Sequence, residues 1–213
     1  MTAAPARRRA RAGHLLAYGA ALLVGGALEV WARTHYPDGS HIQGQRLSEY
    51  HGNTAVVWLF LVLLARPLRL APYRRPLGLA AFAFSALHTW YAFEHVLGNS
   101  LEGLLFLTPE RQASTWVGFA ALVLLGLLAV TSSDWAVRTM GLWWKRLHRT
   151  VVLATVLAAF HTTYMGVHYG LNPPRATTAV LLLGLAGVLV WRAFSGQRSG
   201  GSEARRQTSD VRS

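Results

Sequence analysis

Six stretches of this sequence are apolar for close to the length needed to cross a bilayer, and few folds are open to such a chain. A segment in hydrocarbon must satisfy its own backbone polar groups, which requires a helix of about 20 predominantly apolar residues. The stretches are His14–Trp31, Tyr50–Ala65, Pro76–His95, Gln112–Ser133, Thr150–Tyr169 and Ala176–Trp191. The second and last are short, but flanking arginines such as Arg66 and Arg192 can snorkel to the interface. The expected fold is therefore all-α: an integral membrane bundle of six transmembrane helices. Composition agrees, since 52% of the residues are hydrophobic and only 14% are charged, against roughly 25% charged in a soluble domain.

Alternating the loops between the two sides of a membrane sorts the basic residues. The N-terminus (Arg7, Arg8, Arg9, Arg11), the 66–75 and 134–149 loops and the C-terminal tail hold 17 of the 21 Lys and Arg. Arg33, Arg46, Arg111 and Arg175 fall on the other side. By the positive-inside rule both termini are cytoplasmic. The net charge of +12 thus reads as topology and not as a nucleic-acid surface, because no segment between the apolar runs is long enough to present one. An arginine-rich head before an apolar run also describes a secretory signal peptide. The run is long for that role, and Leu28, Glu29, Val30 and Trp31 offer no small-residue cleavage site, so an uncleaved first helix is expected. The organisation expected is a basic cytoplasmic N-terminus (1–13), a six-helix membrane domain (14–195) and a disordered cytoplasmic tail (196–213) rich in Ser, Gly and Arg.

The chain has no cysteine, so thiolate metal sites and iron–sulfur clusters are excluded. Intramembrane histidines are the natural place to look for function, because ionisable groups are costly in hydrocarbon. His88 lies about 12 residues, and His161 about 11, from the cytoplasmic ends of the third and fifth spans, both roughly 17–18 Å deep at the helical rise. These two spans run the same way, so equal counts mean equal depth. Two imidazoles at one depth on facing helices are what a bis-histidine haem needs. With both axial positions filled, the expected role is electron transfer. The alternative is that each histidine makes an interhelical hydrogen bond.

The two spans share a pattern. His88-Thr89-Trp90-Tyr91 is followed by His95, and His161-Thr162-Thr163-Tyr164 by His168, both H-T-x-Y-x-x-x-H. A seven-residue step keeps both histidines of a helix on one stripe, roughly 10.5 Å apart. His95, His168, Tyr91 and Tyr164 would then stand near the outer face, as contacts for a metal ion or for haem propionates or simply in water, with His41 and His51 in the adjoining outer loop. His148, in Lys145-Arg146-Leu147-His148-Arg149, precedes His161 by about 20 Å of rise, a depth suited to a second haem. On a straight helix, however, it points roughly 140° away and lacks a partner. Arg74, Arg75, Lys145, Arg146 and Arg149 could pair with propionates or a flavin phosphate at the inner face, and are equally explained by topology.

Arg74-Arg75-Pro76-Leu77-Gly78-Leu79 leading to Ala86-Leu87-His88, then Leu128-Ala129-Val130-Thr131-Ser132, then Arg138, Gly141, Trp144, Leu147-His148 and His161 resemble the ferric-reductase-like transmembrane domain family. Within it the chain is most similar to the MsrQ-type haem-bearing membrane subunit of bacterial methionine sulfoxide reductase systems. The resemblance covers approximately residues 50–170. It implies one or two b-type haems in a six-helix bundle of the bacterial inner membrane, with His88, His148 and His161 as haem-associated histidines. It also implies electrons from a cytoplasmic flavin reductase, with FMN a possible cofactor, and delivery to a periplasmic molybdopterin reductase. Glu49-Tyr50-His51-Gly52 departs from the family's His-Phe-Thr-Gly. No Gly-x-Gly-x-x-Gly fingerprint occurs, so a separate donor, the flavin reductase or a quinol, is expected. Two other readings stand beside this one: direct reduction of ferric or cupric ions at the outer histidines, and a haem-free scaffold or small transporter.

Overall fold

The computed structural model describes residues 3–165 and 183–191, with side chains from residue 12 onward. Every regular element among them is helical. In chain order these are α1 (Ala3–His35), α2 (His41–Leu63), α3 (Arg74–His95), α4 (Pro109–Val130), α5 (Asp134–Met140), α6 (Leu142–Arg149) and α7 (Val151–Met165). Short 3-10 helices cover Ala71–Tyr73 and Leu101–Phe106, and residues 183–191 are also helical. Two of these helices, Ala12–His35 within α1 and α4, are by themselves long and apolar enough to cross a membrane.

Local chemistry sets the boundaries. α2 begins nine residues before its apolar run because Ser40, in extended conformation, caps it: its Oγ accepts the Gln43 N–H at 3.2 Å. The expected outer loop at 41–49 is therefore helix, and His51 lies inside α2 and is fully buried. α4 opens on Pro109, whose missing N–H costs nothing in the first turn. The expected 134–149 loop is largely helical. Ser133 caps α5 by accepting the Ala136 N–H, and Gly141, at φ 53°, takes a left-handed conformation that separates α5 from α6. A second break at Thr150 parts α6 from α7, so His148 and His161 do not share one straight helix.

α2 packs along α3, α4 along α7, and a contact between α3 and α4 joins the pairs. Each pair is antiparallel. His88 meets Gly52 while His95 meets Gly44, and His161 meets Gly118 while His148 meets Thr131. With Phe82 of α3 against Gly126 of α4, α3 and α7 run in the same direction, as the depth argument requires. A cluster of Leu59, Ala81, Leu125, Leu128 and Ala154 closes the centre of the four helices. A second, of Leu63, Ala159, Leu185 and Val188, ties residues 183–191 to α2 and α7. α1 leans on α2 and α3, and its leucines Leu15, Leu16, Leu22 and Leu23 are 71–77% exposed. An outward apolar surface of this kind is what a hydrocarbon surround demands.

Candidate functional site

Between α2, α3, α4 and α7 lies a cavity of about 720 Å³, within the range of small-molecule and cofactor sites. Its walls are mostly apolar, with Val56, Leu59, Phe93, Phe119, Leu122 and Leu125 prominent, and both His88 and His161 line it. The two imidazoles face each other with ring centroids 5.8 Å apart and planes crossed at 72°.

Each ring is held in the same way. His88 Nδ1 donates to the Ser48 carbonyl at 2.8 Å, and His161 Nδ1 to the Ser114 carbonyl at 2.7 Å. With Nδ1 carrying the proton, Nε2 keeps its lone pair for a ligand bond, the arrangement found in most metal-binding histidines. The rings reach those carbonyls only because glycine stands one turn further on. A Cβ at Gly52 would fall 2.8 Å from His88 Nδ1, and one at Gly118 would fall 2.7 Å from His161 Nδ1. Imidazole nitrogens bind metals at about 2 Å, so two rings on opposite sides of one ion have centroids roughly 6 Å apart. The observed spacing, the committed Nδ1 atoms and the apolar cavity all fit a bis-histidine haem.

The serine–glycine pairs, Ser48-x-x-x-Gly52 and Ser114-x-x-x-Gly118, went unread in the sequence although the spacing occurs twice. Glu49 entered the sequence reading only as part of a departure from the family's motif. It lines the cavity, its side chain is 10% exposed, Oε2 accepts from Arg46 at 2.8 Å, and Oε1 is buried without a partner.

The remaining candidates go elsewhere. His148 stacks on Trp144 at 4.1 Å, and its Nε2 lies 3.2 Å from Thr131 Oγ1, while Trp144 Nε1 donates to the Thr131 carbonyl. Burial lowers the His148 pKa, hydrogen bonding to the Thr131 backbone opposes that shift, and the charge of Arg75 adds to it. His148 thus ties α6 to the end of α4 and does not line the cavity. Arg75 pairs with Asp134 at 2.5 Å, Arg146 sits over the Trp143 ring at 4.8 Å, and Arg74, Lys145 and Arg149 are exposed. His95 lies against Gly44, whose backbone leaves no room for a Cβ, and its ring is 6.1 Å from that of His41. Tyr164 is 48% exposed and stacks on Phe160. His168 and the 196–213 tail lie outside the described residues. Among the described residues no three His, Asp or Glu side chains gather as a metal ion requires.

Tyr91 serves a different group. Its hydroxyl donates to Glu29 Oε1 at 2.7 Å, and His51, stacked on Tyr91 and tilted against Phe84, lies 3.1 Å from the same oxygen. This polar knot helps to fix α1 to α2 and α3, beside the 3.0 Å bond from His14 to the Pro72 carbonyl. Interhelical polar contacts in membranes contribute about 1 kcal/mol. His51→Leu is accordingly expected to lower the detergent melting temperature by a few degrees and to expose α1 to protease, without altering the His88–His161 cavity.

The sequence profile of the ferric reductase like transmembrane component family matches residues 52–159. The chain belongs to that family and is a membrane protein. Among curated relatives it is 37% identical over 124 residues to the protein-methionine-sulfoxide reductase heme-binding subunit MsrQ of Bordetella pertussis, covering 54% of this chain and 59% of the relative. It is 33% identical over 148 residues to the protein of the same name from Brucella ovis, covering 66% of this chain and 64% of the relative. The chain thus spans less than two thirds of the length of these relatives. No solved structure matches.

Proposed function

We propose that this chain is the haem-bearing membrane subunit of a methionine sulfoxide reductase system, carrying electrons through the bilayer on b-type haem. The observation that carries this reading is the pair of imidazoles, 5.8 Å apart across an apolar cavity, each with Nδ1 committed to a backbone carbonyl. His88 and His161 would hold the haem iron. Haem supplies a one-electron iron couple, and two protein ligands leave no open position for a substrate. The protein's own part is to orient the two rings, to exclude water with Val56, Leu59, Phe119 and Leu125, and to hold the ligands in one tautomer. The names of the relatives and the family match support the same reading.

The topology goes with it: six spans in the bacterial inner membrane, both termini cytoplasmic, the cationic segments inside, and domain limits as read from the sequence. Electrons enter from a cytoplasmic flavin reductase or a quinol and leave to a periplasmic molybdopterin reductase. Direct reduction of ferric or cupric ions at the outer face has less support, because His95 is packed against the α2 backbone.

The test is a reduced-minus-oxidised spectrum of the purified chain. A low-spin b-type Soret and α band at one haem per chain is expected, and a chain purified from haem-replete cells without those bands overturns the proposal. A companion measurement separates the acceptors. The paired His95→Ala and His168→Ala replacement is expected to leave the rate of ferric-chelate reduction unchanged, and a several-fold fall would restore the outer-metal reading.

A further inference from the structure

Most serine and threonine hydroxyls within these helices, buried or half-buried, are spent on their own helix. Ser85, Thr89, Thr115, Thr155, Thr162 and Thr163 each donate to the carbonyl four residues back, at 2.8–2.9 Å, the usual way for a helix in hydrocarbon to satisfy them. Ser48 and Ser114 do not. Each is 5% exposed, and each reaches across to the neighbouring helix, where its Oγ donates to the backbone carbonyl of a cavity histidine: Ser48 to His88 at 3.2 Å and Ser114 to His161 at 3.2 Å. Each Oγ also lies close to that histidine's Nδ1, at 3.1 Å and 3.3 Å.

The bonds run in both directions. The histidine N–H goes to the serine carbonyl, and the serine O–H goes to the histidine carbonyl. Such a reciprocal pair fixes two things at once, the register of the ligand helix against its neighbour and the rotation of the imidazole about its own side-chain bonds. The same clamp, with the same glycine one turn on, occurs at both histidines, and its product is one definite geometry: ring planes crossed at 72°. Rotation of an imidazole about its bond to a metal is soft, so the metal does not choose this angle.

Resting on the haem reading above, we infer that Ser48 and Ser114 are positioning residues whose hydroxyl clamps hold the two axial imidazoles crossed and so set the electronic ground state of the ferric haem. Crossed axial planes bring two iron d orbitals close in energy and give a low-spin electron paramagnetic resonance signal with a single dominant large-g feature. Near-parallel planes separate those orbitals and give a resolved rhombic signal. The angle therefore has a signature independent of turnover.

The experiment compares frozen spectra of the oxidised, haem-loaded full chain with those of Ser48→Ala, Ser114→Ala, the double variant and the conservative Ser48→Thr. Thr163→Ala, which removes a hydroxyl bonded to its own helix, is the control. The wild type and the control are expected to give the large-g feature. Each alanine variant is expected to shift intensity into a rhombic signal, and the double variant to lose the large-g feature. Ser48→Thr restores it. A rhombic wild type, or alanine variants indistinguishable from wild type, overturns the inference while leaving the ligand pair intact. Should Ser48→Ala lose haem outright, retention by Ser48→Thr supports the clamp, and loss in both overturns it, since the hydroxyl is then not what matters. A wild-type chain without haem defeats the underlying reading, and this inference with it.

Discussion

Replacing either His88 or His161 by alanine is expected to abolish the whole low-spin haem spectrum, not half of it. Both rings face one cavity at 5.8 Å, so on the proposed reading they would serve one iron. Loss of one axial ligand leaves a five-coordinate, high-spin site with a vacant position. The alanine variant also opens a hole of imidazole size in an apolar cavity, so added imidazole is expected to restore the low-spin bands in the purified variant. That rescue distinguishes loss of a ligand from loss of the fold. His148→Ala is expected to keep the bands at full intensity, because His148 is engaged with Trp144 and Thr131 at the end of α4. A spectrum that survives replacement of His88 or His161 refutes the pairing. One that is halved by His148→Ala makes His148 the ligand of a second haem.

The outcome for His148 bears on how far a sequence can be read. His88 and His161 were legible because depth in a membrane is a count of residues, and alternation of spans tells which helices run the same way. At His148 the same count gave a depth but, on the straight helix it assumed, no facing partner, and α6 and α7 are parted at Thr150. The breaks at Gly141 and Thr150 are single-residue events that no hydropathy window of span length can register. His51 was obscured differently. Gln43, Gln45, Arg46 and Glu49 dilute the apolar signal of the first three turns of α2, so a helix reads as a loop, although Gln43 and Ser48 are buried. Polarity facing inward in a bundle is indistinguishable, along the chain, from polarity facing water. Ser48 and Ser114 were beyond reach for another reason: small residues are common in membrane helices, and only the neighbouring helix reveals which of them back a ligand.

The glycines carry the second large effect. Gly52→Val and Gly118→Val are expected to reduce haem affinity by roughly 10–100-fold, the range for losing the outer support of a metal ligand. At each position even a methyl group would lie inside the contact distance of the histidine Nδ1, at 2.8 Å and 2.7 Å. The ring has no freedom to yield without giving up its carbonyl bond, so the substitution must either break the His–Ser clamp or push two helices apart. Overpacking of this kind costs about 1–3 kcal/mol, which matches the same range of affinity. A comparison site exists within the same helix. Gly44 backs His95 more tightly than Gly52 backs His88, a Cβ there falling 1.9 Å from the ring against 2.8 Å, but His95 ends α3 and does not line the cavity. Gly44→Ala is therefore expected to cost stability in detergent while leaving haem affinity within about twofold of wild type, a difference of under ~0.5 kcal/mol. Haem titration of the three apo-variants measures the contrast. Equal losses at Gly44 and Gly52 would mean that helix packing alone, and not the seating of a ligand ring, is what these glycines provide.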